Sequence, residues 1–449
     1  MVNGIQPPER VLNILRIFKE NGFDAYAVGG CIRDSVLGTK PKDWDFTTNA
    51  LPSEMKVLFK KAIDTGLKHG TVTVVLEGES FEITTFRIDG KYEDGRHPSH
   101  VEFTQQLEDD LRRRDFTMNA MAWNEVRGIV DPFGGRADIS ARLIRAVGEA
   151  GERFQEDALR MLRAVRFSAR LGFEIYSSTL RAICDNCRMI SNVSSERIRE
   201  ELNGTLTADD PMKFDLLRET GLMKLILPEF EACFNTPQHN PHHVYNVGEH
   251  SLRAVAAIEN DKCLRWTMLL HDTGKAVTRF TDEKGIDHYY GHPAKSMEIA
   301  GGILARLKFD NRSIERILRL IKFHDREIAP QPKAVAKAVN VVGEDIFLDL
   351  LKVKRADKSA QNPADKQKGL EYVDSIENIY FGLKAEKSCL ELKDMALNGR
   401  DLLGMGFKEG REVGRILSIL FEKVLDDPTL NEKRFLAELA AELLVKKKR

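Results

Sequence analysis

Residues 29–46 read GGCIRDSVLGTKPKDWDF, and this stretch decides the fold of the first part of the chain. Two glycines form a turn, CIRDSVLG reads as a short helix, and KDWDFTTN reads as a strand. Residues two apart in a strand point to the same face, so we expect Asp43 and Asp45 to project together, roughly 7 Å apart, with Trp44 turned into the core. Two carboxylates this close repel each other, and the pattern therefore predicts a cation between them.

Paired carboxylates of this kind can hold two divalent cations about 3.5–4 Å apart, an arrangement used for in-line phosphoryl transfer. Hard oxygen ligands favour magnesium. Gly29 and Gly30 allow close approach to the backbone, and the amides that begin the next helix can bind phosphate oxygens. Asp43 and Asp45 are thus the predicted catalytic, magnesium-binding residues; the alternative is an acidic surface strand.

The remaining periodicity indicates an α+β protein. An amphipathic helix follows Pro8, DAYAVGG at 24–30 reads as a strand, and VTVVLEG with SFEITTFR reads as a β-hairpin around Gly78. The polar segment DGKYEDGRHPSHVEF reads as a long loop, and from about residue 140 the pattern is almost wholly helical.

Composition narrows the class of protein. The 449 residues are 42% hydrophobic and 31% charged, and contain no apolar run long enough to span a membrane. The six cysteines are scattered, which indicates structural thiols and a cytoplasmic protein. A net charge of −1 excludes a protein that is basic overall, but residues 136–205 hold twelve arginines and no lysine. The use of arginine rather than lysine favours planar hydrogen bonding to carboxylates, phosphates or bases.

Three further motifs extend the opening one: LRRRDFTMNAMAWN at 111–124, DPFGGRAD at 131–138 and EDALRMLRAVRF at 156–167. With GGCIRD and DWD they resemble the nucleotidyltransferase superfamily that includes DNA polymerase beta. The resemblance is closer to its class II branch, the bacterial tRNA nucleotidyltransferases (CCA-adding enzymes) and poly(A) polymerases. It implies a polymerase-beta-like head with a mixed β-sheet at 1–145, an all-α neck at 146–235, an HD domain at 236–362 and a helical, tRNA-contacting tail at 363–449.

The resemblance also implies a nucleotide site. Its residues are Gly29, Gly30, Arg33, Asp34, Arg113, Arg114, Asp115, Asn119, Asp157, Arg160, Arg163 and Arg166. In this family EDxxRxxR reads the incoming base, and we expect Asp157 and Arg160 to share one helix face at i, i+3. A carboxylate accepts from the amino group of cytosine or adenine, and a guanidinium donates to the adjacent ring nitrogen. Guanine and uracil present the opposite pattern, so these two side chains would select CTP and ATP. A helix-surface ion pair is the alternative.

Other segments resemble accessory parts of the family. RIDGKYEDGRHPSHVEF resembles the flexible loop that helps to switch from C to A addition, with His97 where an arginine is common. SSERIREEL at 194–202 resembles a helical motif expected mainly to pack. DLLGMGFKEGREVGRIL at 401–417 resembles a tRNA-contacting region.

A second group of metal-ligating residues lies between 240 and 360. His250, then His271 and Asp272 in LLHDTGK, and Asp357 in ADKSA resemble the ligands of HD phosphohydrolases. Two histidines and two aspartates suit a divalent transition metal with open positions. His292 and His324 stand where extra histidines support a second metal in some members, and Lys275 is a candidate phosphate contact.

Together these features imply an enzyme that adds CCA to the 3′ end of tRNA from CTP and ATP. The partners expected are tRNA and the two nucleotides, with no membrane, and the chain is expected to be a monomer or a homodimer. An enzyme that adds only A, a poly(A) polymerase, or an RNA phosphohydrolase whose head only binds RNA are the alternatives.

Overall fold

The computed structural model describes residues 5–66, 69–90, 100–239 and 244–448. The chain forms two compact units, Met1–Pro228 and Glu229–Arg449. The first is mixed α/β in composition and the second almost all helical, so the predicted α+β class, a head with a mixed sheet followed by helical domains, is confirmed. Most of the predicted C-to-A switching loop, with His97, lies outside the described residues.

A seven-stranded sheet organises the first unit, in the order β3-β4-β5-β2-β1-β8-β9. Every neighbouring pair is antiparallel except β2 and β5, which run parallel. The strands of this sheet are β1 Ala25–Val28, β2 Asp45–Thr48, β3 Ala62–Gly66, β4 Thr71–Leu76, β5 Glu79–Thr85, β8 Ala122–Asn124 and β9 Gly128–Val130. Short two-stranded pairs elsewhere are β6 Arg87–Asp89 with β7 Val101–Phe103, β10 Leu143–Ile144 with β11 Glu174–Ile175, and β12 Phe280–Thr281 with β13 Asp287–His288.

The predicted hairpin is present, and its turn explains its register. Glu77 and Gly78 are the two turn residues between β4 and β5, with φ of 52° and 85°. Positive φ at both positions is the turn geometry whose twist matches that of paired strands. The pattern of alternating residues around Gly78 therefore identified both strands and their connection.

Helices cover the sheet and build the rest of the first unit. Their bounds are α1 Glu9–Glu20, α2 Gly30–Val36, α3 Pro52–Leu58, α4 Leu107–Arg112, α5 Gly135–Ser140, α6 Ala150–Glu156, α7 Leu159–Leu171, α8 Ser177–Asn186, α9 Ser195–Leu206, α10 Leu216–Glu219 and α11 Leu222–Ile226. The amphipathic helix predicted after Pro8 is α1, which buries Val11, Ile14, Leu15 and Phe18. A core that includes Tyr26, Val28, Phe86 and Leu111 lies between β1 and α4.

The second unit is a helical assembly that follows α12 Pro228–Phe234. Its helices are α13 Val247–Ala257, α14 Lys262–Leu270, α15 Lys275–Thr278, α16 His292–Arg306, α17 Asn311–Phe323, α18 Pro332–Val342, α19 Glu344–Ala360, α20 Pro363–Ala385, α21 Gly399–Gly404, α22 Arg411–Asp426 and α23 Lys433–Lys448. Within the described parts of the chain, none of the helices has the length and apolar character needed to cross a membrane.

Candidate functional sites

The opening motif folds into a strand–turn–helix that is tied directly to the paired aspartates. β1 ends at Val28, which pairs with Asp45 across the sheet, and the chain then turns through Gly29 into α2. Gly29 has φ of 82°, and a Cβ there would lie 3.1 Å from Nη1 of Arg114. Glycine is therefore needed both for the turn and for the guanidinium that packs against it.

The carboxylate pair lies near the start of β2, with one correction to the prediction. The strand begins at Asp45, so Asp43 precedes it and the two are not both strand residues. They still line one open cavity of about 860 Å³, while Trp44 is buried as expected. Glu82 lines the same cavity, because β2 and β5 are parallel and Phe46 pairs with Ile83.

Three carboxylates in one cavity form an oxygen-rich set that suits a hard divalent cation. Partial desolvation raises the pKa of Asp45, and the nearby charges of Glu82 and Asp43 raise it further against the opposing effect of Arg114. The crowding of negative charge at Asp45 is what a bound cation would relieve. The residues present therefore fit the group that the sequence predicted.

Asp45 also lines a second cavity, of about 470 Å³, which gathers most of the predicted nucleotide-binding residues. Those that line it are Gly29, Gly30, Arg33, Arg113, Arg114, Asp115, Asn119, Asp157, Arg160, Arg163 and Arg166. Asp34 is outside this lining and instead holds Arg33, with 2.7 Å between Oδ1 and Nη2. Asp43 lines only the neighbouring cavity.

A partly buried ion pair supports the floor of this cleft. Asp115 accepts from Nε of Arg163 at 2.8 Å and from Nδ2 of Asn119 at 3.1 Å. Burial opposes ionisation of Asp115, but Arg163 and the hydrogen bond from Asn119 outweigh it and lower its pKa to about 2. Asn119 in turn accepts from Arg33, so the RRDFTMN and GGCIRD motifs form one network.

The expectation that Asp157 and Arg160 lie on one helix is wrong. Asp157 is extended, with φ −143° and ψ 102°, and follows the end of α6, whereas Arg160 is in the first turn of α7. They are joined by a turn in which the Arg160 amide donates to the Asp157 carbonyl at 3.0 Å. Both line the cleft despite this difference.

Arg197 is a residue of this cleft that the sequence did not single out. SSERIREEL was expected mainly to pack, yet Arg197 donates to both oxygens of Asp157, at 3.3 and 2.7 Å. Oδ1 of Asp157 also accepts from the Leu159 amide at 3.1 Å. A carboxylate has about four acceptor positions, so one is left for another donor.

The guanidinium of Arg160 likewise uses only some of its N–H groups in hydrogen bonds. Its Nη1 donates to the Arg153 carbonyl and to Glu156, and its Nη2 donates to the Arg113 carbonyl. Guanidinium has five N–H groups, so two have no acceptor in the described part of the chain. The pair thus keeps one acceptor position and two donors, which is the set that an amino group beside a ring nitrogen requires.

In the second unit, six side chains from different segments converge. His250 comes from α13, His271 and Asp272 follow α14, and Asp357 lies in α19. His292 begins α16 and His324 follows α17. Nε2 of His250 is 3.0 Å from Asp357, and Nε2 of His271 is 3.3 Å from Asp272. Oδ1 of Asp272 is 3.3 Å from His292 and 3.4 Å from His324, so Asp272 contacts both halves of the cluster.

Hydrogen bonds to the backbone determine what the four imidazoles offer. Each Nδ1 bonds a carbonyl oxygen: those of Ala360, Met268, Tyr289 and Ile321 for His250, His271, His292 and His324 respectively. A carbonyl only accepts, so each neutral ring carries its proton on Nδ1 and directs the Nε2 lone pair inward. Among the residues that the structure describes, none is a hydrogen-bond partner of the buried Nε2 of His271, and the Nε2 atoms of His292 and His324 are 3.2 Å apart.

Lone pairs and carboxylates that face one another in a buried site need a cation. The donor set of neutral imidazoles and aspartates fits a divalent transition metal. Lys275, a candidate phosphate contact in the sequence, instead lies 2.6 Å from Oδ2 of Asp272 and 3.0 Å from Gln238.

Known proteins resemble the chain along most of its length. Residues 25–145 match the family model of the poly A polymerase head domain, residues 172–234 that of an RNA and SrmB-binding site of polymerase A, and residues 294–440 that of tRNA nucleotidyltransferase domain 2. The CCA-adding enzyme of Geobacillus kaustophilus is 50% identical over 310 residues, 68% of this chain and 71% of that protein.

Two other relatives set the extent of the similarity. The CCA-adding enzyme of Geobacillus thermodenitrificans is 50% identical over 220 residues, but the match spans about half of that relative, 54% of its length, and 49% of this chain. A crystal structure of the Bacillus stearothermophilus CCA-adding enzyme in complex with CTP is 30% identical, with a TM-score of 0.73 over 99% of this chain and all of that one.

Proposed function

Since the chain belongs to the family of CCA-adding enzymes, we propose that it adds C, C and A to the 3′ end of tRNA, using CTP and ATP and releasing pyrophosphate. The observation that carries the proposal is the position of Asp45, which lines both the acidic cavity and the arginine-lined cleft. Phosphate groups held among the arginines would thus lie beside the carboxylates.

In the proposed reaction the 3′-hydroxyl oxygen of the tRNA bonds to the α-phosphorus, the bond to the β-phosphate oxygen breaks, and the hydroxyl loses its proton. Asp43 and Asp45 would hold magnesium, which when bound neutralises phosphate charge and favours the ionised hydroxyl. Arg114 lies against the Gly29 turn and lines the cleft with Asp45, and its guanidinium would donate to a phosphate oxygen.

Base selection is assigned to the free positions on Asp157 and Arg160. The remaining acceptor position on Asp157 would take the exocyclic amino group, and a remaining N–H of Arg160 would donate to the ring nitrogen. CTP and ATP satisfy both groups, whereas UTP and GTP leave both unpaired, and unpaired buried polar groups give strong discrimination. The choice of tRNA would rest on phosphate contacts and shape.

Incubation with tRNAs that end before the first C or at CC, and with a non-tRNA oligonucleotide, tests the activity. We expect CCA completion with CTP and ATP together, abolished by Asp43→Asn and by Asp45→Asn but not by Asp64→Asn, an exposed carboxylate on β3. Addition of A to tRNA-CC alone would instead identify an A-adding enzyme, and long A tails would identify a poly(A) polymerase.

The six cysteines, all within the described residues, are unpaired, which supports a cytoplasmic location as part of the proposal.

A second proposed activity is metal-dependent hydrolysis of phosphate esters by an HD domain in the second unit. The observation that favours it is the inward-facing set of four Nε2 atoms around Asp272 and Asp357. His250, His271, Asp272 and Asp357 would hold a divalent transition metal, which when bound lowers the pKa of water and polarises a phosphate. In hydrolysis of a 2′,3′-cyclic phosphate, water oxygen bonds to phosphorus, one ring P–O bond breaks, and the released oxygen takes a proton.

Hydrolysis of a nucleoside 2′,3′-cyclic phosphate is measured with Mn²⁺, Co²⁺ and Ni²⁺ in turn. We expect activity that His271→Ala and Asp272→Ala abolish while CCA addition persists. Glu298→Gln is the matched control, an exposed carboxylate on α16 that pairs with Lys295 of the same helix. A wild-type protein without hydrolysis under any of the three metals, or variants that keep it, would contradict this proposal.

A further inference from the structure

A cleft of about 690 Å³ adjoins the six-residue cluster of the second unit. It is lined by the segment after α17, the end of α19 and the start of α20, and His324 and Asp357 of the cluster are among its lining residues. The side chain of Asp357 is 20% exposed, whereas the other five are at most 9% exposed. Asp357 is therefore the ligand most open to solvent, and this cleft is the side from which a substrate can reach the cluster.

Positive and negative side chains are balanced in number in this cleft. Four cationic residues, Arg326, Lys354, Lys358 and Lys368, and four carboxylates, Asp325, Glu327, Asp357 and Asp365, line it. One divalent cation on the cluster would give the cleft an excess of positive charge. Lys354 is buried and donates to the carbonyls of His324 and Arg326. Lys358 and Lys368 form no ion pair with a carboxylate anywhere in the described ranges, so both remain available to an anion.

Lys358 is held close to the cluster. Its Nζ donates to Gln361 at 3.3 Å, and Nε2 of Gln361 donates to Oδ2 of Asp357 at 2.9 Å. A Cβ at Gly369 of α20 would lie 3.0–3.1 Å from the Cβ, Cγ and Cδ of Lys358. Glycine inside a helix is unfavourable, so its use here fits the need for the lysine stem to cross α20 closely.

One aromatic ring completes the wall. Tyr372 lies one turn beyond Gly369 and Lys368 on the same face of α20. Its hydroxyl accepts from the Ile328 amide at 3.0 Å and donates to the Ile328 carbonyl at 2.8 Å. These two bonds fix the ring on the wall of the cleft, and a fixed ring is a stacking surface for a nucleic-acid base.

We propose that this cleft binds the 3′ end of an RNA strand, and this inference rests on the proposed phosphohydrolase activity. The terminal phosphate lies at Asp357, Lys358 and Lys368 bind the phosphate that precedes it, and Tyr372 stacks on a base. The substrate is therefore an oligonucleotide end with at least two phosphates, in preference to a mononucleotide.

The test compares a dinucleotide that ends in a 2′,3′-cyclic phosphate with a mononucleoside 2′,3′-cyclic phosphate, using the full-length protein with Mn²⁺. In the double variant Lys358→Gln, Lys368→Gln we expect KM for the dinucleotide to rise about tenfold with kcat unchanged. KM for the mononucleotide should change by less than about twofold, because it lacks the preceding phosphate. Lys366→Gln is the control, an exposed lysine on α20 that does not line the cleft.

A binding measurement separates the cleft from catalysis. The Kd of a fluorescent dinucleotide 3′-phosphate, measured by polarisation with Mn²⁺, should rise about tenfold in the double variant and stay unchanged in Lys366→Gln. Equal effects on the mononucleotide and dinucleotide, or an unchanged Kd, would overturn the inference while leaving hydrolysis intact. Absence of hydrolysis in the wild-type protein would instead contradict the phosphohydrolase, and the Kd would still decide whether these lysines bind RNA.

Discussion

Replacement of Arg197 by glutamine tests whether Asp157 reads the incoming base. Arg197 donates to both oxygens of Asp157, and the Leu159 amide donates to one of them, so three bonds orient the carboxylate. The variant Arg197→Gln removes the two bonds from the side chain and keeps the third. Asp157 then loses the orientation that directs its remaining acceptor position into the cleft.

The size of the expected loss in Arg197→Gln follows from the geometry and exposure of the Asp157–Arg197 ion pair. Hydrogen bonds to charged groups contribute about 1.5–3 kcal/mol. The side chains of Asp157 and Arg197 are 16% and 23% exposed, so solvent screens part of the interaction and the lower end of that range applies. A loss of about 1.4 kcal/mol corresponds to about tenfold. We expect kcat/KM for CTP and ATP to fall about tenfold, with a smaller change for UTP and GTP.

Single-nucleotide incorporation into tRNAs ending before C and at CC measures kcat/KM for each of the four nucleotides. Arg181→Gln, an exposed arginine on α8, is the control, and a thermal melt of each variant verifies folding. The reasoning is refuted if Arg197→Gln keeps both its rate with CTP and its preference for CTP over UTP within about twofold of the wild type. A uniform loss with all four nucleotides would also refute it, because it would place Arg197 on the phosphates or in the fold.

Three further outcomes are expected. The pKa of Asp115 is about 2 in the folded protein, below its unfolded value, so its stabilisation is present above about pH 4 and lost as pH falls toward 2. Denaturant unfolding between about pH 5 and pH 2 should show the wild type losing about 2 kcal/mol more than Asp115→Asn; parallel curves would contradict this. Gly369→Ala should keep or raise the melting temperature, since alanine favours a helix by about 1 kcal/mol, yet raise KM for the cyclic dinucleotide by displacing Lys358; an unchanged KM would be the opposing result. Mn²⁺ at about 100 times its Kd should stabilise the second unit by about 2.7 kcal/mol in calorimetry, and His271→Ala should abolish the shift; equal shifts in both proteins would place the metal elsewhere.

The sequence was informative where the pattern was local. β1, β2 and the β4–β5 hairpin follow from alternation and turn residues, and α1 follows from its apolar face. The prediction did not include β3, β8 and β9, although they complete the sheet. β8 is three residues long and pairs with β1, as in Ala27 with Trp123, nearly a hundred residues earlier. No local signal identifies a pairing between segments so distant.

The same distinction applies to the sites. The family resemblance identified the arginine-lined cleft and the second cluster, because short motifs such as RRDFTMN and LLHDTGK mark the segments that contribute to each. The conformation of Asp157 was predicted wrongly because EDALRMLR has helical composition throughout, whereas the Asp157 side chain accepts from the Leu159 amide and pairs with Arg197, forty residues later. Hydrogen bonds of an aspartate side chain can stabilise a non-helical backbone conformation at that residue. At Asp157 they involve a tertiary partner, which the local sequence does not show.

The register of β2 couples the position of Asp45 in the acidic cavity to the folding stability of the head. Asp45 is exposed, and the next residue, Phe46, is buried and packs edge-on against Phe81 with 6.0 Å between ring centroids. A slip of one residue would exchange their faces, burying an unpaired carboxylate and exposing a phenylalanine, at a cost of several kcal/mol. A misaligned head would therefore be unstable and open to degradation, rather than a folded protein with a disrupted acidic cavity.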